Sequence, residues 1–426
     1  MTQHFVRPCV QGGNDSNTLG RFKSVGIFVT YKHHTHTMRS FCTLLLLLVI
    51  VALGMGPQPV QAQSGTTGDD ILNTVTTAVP FLRVAPDARA GGMADVGISV
   101  SPDPNGWFHN PAKMAFAERD LGFSVTYTPW LRQLVNDIYL ASVYGFKRID
   151  EMQAVGGSLR YFSLGNITFT NQSGQFIGDF RPNEFAIDAG YSRKLSDYFS
   201  AGTMLRFIYS NLATGQQVNG VDVRPGTSVA ADIAFFYQNP DIELGDMDAT
   251  LAWGVNVSNL GAKITYTADA QNRDFLPSNL GVGASLNMEL DQYNQFLISV
   301  DFNKLLAPTP DTTANQAWKE QSVPAAILGS FNDAPGGFSE EIREIIWQIG
   351  AEYWYDNQFA VRAGYFFEAD TKGGRNFFTV GLGLKYNVFG LNFSYLIPTT
   401  NQRNPLDNTL RFSLNFDFDA LTGGQK

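Results

Sequence analysis

The stretch NTLRFSLNFDF, Asn408 to Phe418, places Leu410, Phe412, Leu414, Phe416 and Phe418 on one side of an extended chain. Arg411, Ser413, Asn415 and Asp417 fall on the other, a strict period of two that reads as a strand with one apolar face. One such strand fits a water-soluble sandwich as well as a membrane barrel, so the number of repeats decides. Phe296, Ile298, Val300 and Phe302 alternate with Gln295, Ser299 and Asp301. Leu205, Phe207 and Tyr209 alternate with Arg206 and Ser210, and Phe359, Val361, Ala363, Tyr365 and Phe367 alternate with Arg362, Gly364 and Glu368.

Strand-like segments recur at 121–129, 138–147, 152–165, 183–194, 199–210, 227–238, 248–260, 278–288, 294–304, 346–355, 358–367, 376–387, 389–398 and 408–418. They make an even set of fourteen, most of the ten-residue length that a tilted strand needs to cross a bilayer. Tight turns at 147–151, 195–198, 291–293, 356–357 and 388 alternate with longer connections at 130–137, 166–182, 211–226, 261–277, 305–345, 368–375 and 399–407; only 239–247 is ambiguous. Aromatic residues gather at strand ends, as at Tyr127 and Trp130 or Trp354 and Tyr355, where rings anchor a protein at the lipid headgroups. The expectation is an all-β membrane protein, a 14-stranded antiparallel outer-membrane β-barrel over 121–418. Short turns, both termini and a tail at 419–426 would be periplasmic.

From Met38 the chain reads MRSFCTLLLLLVIVALGMGPQPVQAQSG. Arg39, the apolar run Phe41 to Met55 and the small-residue site Val60-Gln61-Ala62 predict a signal peptide over 38–62, with maturation near Gln63. Residues 1–37 are read as a start-codon overcall or a dispensable extension. Both cysteines (Cys9, Cys42) and all histidines but His109 precede Gln63, so the mature chain is expected to hold no disulfide, thiolate metal site or two-histidine metal motif. Of 30 basic and 39 acidic residues, five and one lie in 1–62; the remaining 25 and 38 give net −13 and argue against nucleic acid as a partner. No stretch after Gln63 is long and apolar enough for a membrane helix.

Residues 63–120 precede the first strand and are read as an N-terminal hatch or plug. Asp69 to Val75 is expected to start it as a short helix with acids in its first turn. The run DARAGGMADV, 87–96, followed by Asn110-Pro111-Ala112, resembles the hatch of the FadL-type outer-membrane proteins. More narrowly, 81–118 and the strands after it are similar to the PorV branch, the FadL-type component of the type IX secretion system of Bacteroidetes; the resemblance covers 69–418. It implies a plugged barrel that is not a solute pore. The implied partners are a SprA-like secretion channel, cargo proteins carrying type IX C-terminal signal domains, a PorU-like attachment complex and outer-membrane lipid.

The longest connection is where a partner contact is expected, because loops escape the constraints of the bilayer. It carries Trp318, the apolar run Val323 to Leu328, Phe331 and Phe338, and a helix expected from Ser339 to Ile346 with Ser339 as its cap and Glu340 and Glu341 in its first turn. Folding of these residues over the barrel mouth is the competing reading. His109 has no serine motif beside it, so a role in packing or hydrogen bonding within the hatch is expected rather than catalysis. Arg206, Asp232, Arg362, Glu352, Arg411 and Asp417 face inward and are expected to hold the plug by opposite charge. Gly281, Gly283, Gly381 and Gly383 fall within strands and read as close-packing positions rather than a phosphate loop. Asp269, Asp311 and Asp370 lack the spacing of a cation loop, so no catalytic residue, metal or cofactor is assigned. The functions in competition are a non-enzymatic secretion subunit, a FadL-like transporter of hydrophobic small molecules or fatty acids, and a lipid-modifying enzyme built on His109.

Overall fold

A computed structural model describes residues 73–130, 137–170, 173–218, 220–267, 273–310, 317–399 and 408–418, all within the unit Gly68–Lys426. Fourteen antiparallel strands close into a barrel. They are β1 Leu121–Pro129, β2 Ile138–Arg148, β3 Gln153–Leu164, β4 Asn183–Lys194, β5 Phe199–Asn211, β6 Gly226–Leu244, β7 Met247–Gly261, β8 Asn279–Glu289, β9 Asn294–Leu305, β10 Ile345–Tyr355, β11 Phe359–Phe367, β12 Asn376–Tyr386, β13 Phe389–Pro398 and β14 Leu410–Phe418. The ring shuts where β1 meets β14, from Leu121 opposite Phe418 to Tyr127 opposite Phe412. Closure removes the two free edges that an open sheet would present to lipid.

The alternation seen in the sequence becomes a division between outside and inside. On β14, Phe412 and Leu414 are about 40 % exposed, while Arg411, Ser413 and Asn415 are buried. On β5, Leu205 is 65 % exposed and its neighbour Arg206 is 4 % exposed. In water, so continuous an apolar outer surface would drive aggregation; against lipid tails it is solvated.

The ambiguous connection at 239–247 resolves as a tight one, since β6 runs on to Leu244 and β7 begins at Met247. Gly245 takes φ 68°, the left-handed conformation that a two-residue hairpin demands. Six connections of two to four residues therefore alternate with seven of eight to 39. Two of the long ones carry small hairpins, Ile167–Thr170 with Phe176–Phe180 and Gln217–Val218 with Val221–Asp222.

Residues 73–117 run down the inside of the ring. Asn73 is held at the long-loop end, its N–H donating to Thr371 O at 3.0 Å and its side chain to Glu340 Oε1 at 3.1 Å. Asn73–Val75 belong to no helix, so these residues do not form the expected one, and 69–72 lie outside the described residues. Farther along, Ala88–Gly91 and Gly106–His109 are single helical turns, and Pro80–Arg83 and Pro111–Phe116 are 3-10 turns. The wall meets this segment with glycines: a Cβ on Gly364 would lie 2.8 Å from Met93 Cα, and one on Gly381 would lie 2.9 Å from Gly92 Cα. Backbone approaches backbone there, as only residues without side chains permit.

Candidate functional site

The longest loop, 306–344, is built on two short helices. Ser322 caps the first, Val323–Gly329, its Oγ accepting from Ala325 N at 3.4 Å, with Pro324 in the first turn. The second is Phe338–Arg343, shorter than the expected 339–346, because Ile345 and Ile346 already belong to β10. Its cap is Gly337, not Ser339. The acids of the first turn reach backwards instead: Glu340 Oε2 accepts from Gly336 N at 2.6 Å and Glu341 Oε1 from Ala334 N at 2.9 Å.

Two buried lysines fasten this loop, Lys304 to the wall and Lys372 to the neighbouring loop 368–375. Lys304 on β9 donates to Glu341 at 2.9 Å and to Glu344 at 2.6 Å. Lys372 donates to Glu344 at 3.0 Å and also pairs with Glu340. Oxygens of Asp333, Glu341 and Glu344 lie within 4.8 Å of one another, and the Lys304 ammonium supplies positive charge to two of these carboxylates. Asp370 sits in the 3-10 turn Asp370–Lys372; Asp269 and Asp311 lie outside the described residues.

On this fastened base, Leu328 is 76 % and Phe338 78 % exposed, with Phe331 and Ile342 about half exposed. Trp318 is half-buried, with Lys319 Nζ 5.3 Å from its ring centre. Ala326 of the first helix packs inward with Phe275, Leu305 and Ala307, and Val323 lies against that cluster, so the loop both covers the wall and presents Leu328, Phe331, Phe338 and Ile342 outward. A loop held in place by buried ion pairs while exposing large apolar side chains has the chemistry of a protein-binding surface.

Inside the ring, Asn110, Pro111 and Ala112 form a docking point on the wall. Asn110 Oδ1 accepts from Ala112 N at 2.9 Å, and its Nδ2 donates to Ile98 O at 3.2 Å and Phe235 O at 3.1 Å. Ala112 O accepts from both Ser192 Oγ and Ser200 Oγ at 2.7 Å. His109 Nε2 lies 3.0 Å from Asp87 Oδ1, while Asp87 Oδ2 caps the turn Ala88–Gly91. Burial alone would raise the Asp87 carboxyl, but His109 and the Ala90 N–H hold it well below the ordinary range. The pair is a structural clasp.

The inward charges divide into two sets. Arg206 pairs with Asp188 at 2.6 Å and Asp232 at 3.0 Å, strand to strand. Glu352 and Arg411 reach the segment inside: Glu352 accepts from Arg89 at 2.8 Å and from Arg362 at 2.6 Å, and Arg411 pairs with Asp95 rather than with Asp417. Asp417 is half-buried on β14. Gly281 and Gly283 face Ile98, and Gly383 faces Arg362.

Between the segment and the wall lies a cavity of about 450 Å³ whose lining includes Arg83, Asp95, Asp232, Asp301, Glu368 and Arg375. Burial and the nearby Arg375 push the Arg83 guanidinium down to about 10. The same lining holds apolar side chains, among them Leu82, Ile98, Phe108, Trp130, Ile346 and Phe366.

Residues 67–312, more than half of the chain, match the family described as Type IX secretion system protein PorV. The chain belongs to that family. It is accordingly an outer-membrane β-barrel of the type IX secretion system. No curated protein sequence matches this PorV-family chain. Among solved structures it is similar to a FadL homologue of Pseudomonas aeruginosa, with 13 % identity over 81 % of this chain and 99 % of that one and a TM-score of 0.40. It is also similar to the toluene transporter TbuX of Ralstonia pickettii, with 11 % identity, 78 % and 98 % coverage and a TM-score of 0.44. The toluene transporter TodX of Pseudomonas putida gives 11 %, 81 % and 98 %, and 0.41.

Proposed function

We propose that this PorV-family barrel is a non-enzymatic docking subunit of type IX secretion. In this reading it binds a SprA-like secretion channel and the C-terminal signal domain of exported cargo, then passes cargo to a PorU-like attachment complex. The long loops face the cell exterior, and the inner segment starts at that end with Asn73, contrary to the expectation of two periplasmic termini; the short turns and the tail at 419–426 face the periplasm. Residues 38–62 serve as the export signal and 63–120 as the hatch. The observation that carries the reading is the exposed apolar group Leu328, Phe331 and Phe338 on a loop secured by Lys304 and Lys372. Transport of hydrophobic molecules is the second reading: the cavity beside the inner segment mixes apolar and charged groups, and the family match favours the first.

The test is the double variant Leu328→Asp and Phe338→Asp in native membranes, followed by gentle detergent extraction. Loss of co-isolated channel and cargo, with the barrel still folded, is the expected result. Unchanged co-isolation, or a wild-type protein that emerges alone, overturns the proposal. Bound fatty acid displaced by added long-chain acid would establish the transporter reading instead.

A further inference from the structure

At the long-loop end, a second cavity of about 500 Å³ lies between the inner segment and the wall. Val79, Phe162, Leu164, Leu212 and Tyr266 give it largely apolar sides, and Glu184 is set among them. Thr76, Pro80 and Leu212 on the lining are exposed, whereas Phe162 is 6 % and Glu184 1 % exposed, so the carboxyl group stands at the deep end. Three strands fix it there: Glu184 on β4 lies opposite Phe162 of β3 on one side and Ser210 of β5 on the other.

The carboxylate is only half answered. Ser210 Oγ donates to Glu184 Oε1 at 2.6 Å, and the Tyr266 hydroxyl donates to Ser210 Oγ at 3.0 Å. This chain of hydroxyls orients the group and occupies one oxygen. Among the described residues Oε2 accepts from no donor, and no Lys, Arg or His forms an ion pair with Glu184. Asp274, the other acid of the lining, has Lys319 Nζ at 3.9 Å. A carboxylate buried this deeply is costly to ionise without a positive partner.

We propose that this pocket binds a small organic ammonium with an apolar body, either a free amine or a lysine side chain, which pairs with Glu184 Oε2. Its charge answers the carboxylate, its carbons lie against Val79, Leu164 and Leu212, and the Phe162 and Tyr266 rings attract a cation. A fatty-acid carboxylate is repelled by Glu184, and a divalent metal ion demands more oxygens than the single free one here. The inference is independent of what the exposed loop residues bind.

The test uses the full-length protein in detergent micelles at neutral pH, with 4-fluorobenzylamine as the cationic probe and 4-fluorobenzyl alcohol as its neutral counterpart. Fluorine NMR line broadening should show saturable binding of the amine, with the alcohol about tenfold weaker. Glu184→Gln keeps the acceptor for Ser210 and removes only a charge that has no partner, so the barrel should stay folded. The variant should bind the amine about tenfold more weakly and the alcohol unchanged. Readier displacement of the probe by Nα-acetyl-lysine methylamide than by n-butylamine would assign the pocket to a lysine side chain, and the reverse to a free amine. No saturable binding, equal binding of amine and alcohol, or undiminished amine binding by the variant would overturn the proposal and leave Glu184 a neutral acid closed on Ser210. The comparison of amine with alcohol on the unaltered protein stands even if the variant misfolds.

Discussion

Glu352→Gln should be the most damaging isosteric change in this barrel. Glu352 is 2 % exposed on β10. Its two oxygens accept from Arg89 Nη2 at 2.8 Å, Arg89 Nε at 3.0 Å and Arg362 Nε at 2.6 Å. Each charge-assisted bond contributes about 1.5–3 kcal/mol. Glutamine keeps one acceptor oxygen, while Arg89 retains Asp103 at 3.3 Å and Arg362 retains Asn392 at 2.9 Å. The expected net loss is therefore about 3–5 kcal/mol, that of removing one partner from a buried pair. Urea unfolding of the purified protein in detergent measures it. Adding Arg89→Met completes a double-mutant cycle, and the coupling should exceed about 1 kcal/mol because the two residues share bonds. A single variant within about 0.5 kcal/mol of the parent, or strictly additive effects, would refute the claim that Glu352 ties the inner segment to the wall.

Gly364→Val drives a side chain into the Met93 backbone and should expose residues 73–117 to added protease, whereas Gly178→Ala, with open space around it, should not. Lys304→Met leaves Glu341 and Glu344 without that ammonium, and should expose the 317–344 loop to protease while the barrel keeps its heat-resistant mobility on gels. His109→Leu deprives the buried Asp87 carboxylate of its partner and should cost about 1–3 kcal/mol at neutral pH, read by urea unfolding. Burial pushes the Lys113 ammonium down to about 8. The folded state therefore releases this proton before the unfolded state does, and Lys113 should add to stability as pH rises from about 8 to about 10. Lys113→Met should flatten that part of the stability profile; an unchanged slope would show that Lys113 is not its source.

The wall was legible in the sequence because lipid and lumen impose opposite demands on successive residues, and period two survives in every strand. Strand ends fall within a residue or two of the expected ones at β1, β4 and β13. The 239–247 connection was obscure because Asp241, Glu243 and Asp246 resemble a polar loop, whereas Glu243 is paired in the ladder with Asp248, and Asp241 and Asp246 sit in its bulge and its turn. Loop helices were harder to read. Ser322 with Pro324 is a start signal that marks Val323–Gly329, but no apolar periodicity follows it, since the helix is one-sidedly exposed at Leu328. Ser339 looked like a cap by residue type, yet the turn begins at Gly337 because Glu340 and Glu341 can reach the preceding amides. Partners such as Arg89 and Glu352, 263 positions apart, follow from closure of the ring and leave no local signature.

The inner segment begins among the long loops at Asn73 and leaves the lumen only where β1 starts, with Trp107 and Arg89 buried along its course. A cylinder already sealed at the β1–β14 seam would have to be threaded end to end by this bulky cord, past glycine contacts that leave no slack. Laying the cord down first and wrapping the staves around it, with the seam zippered last, is the order of assembly that avoids such a passage.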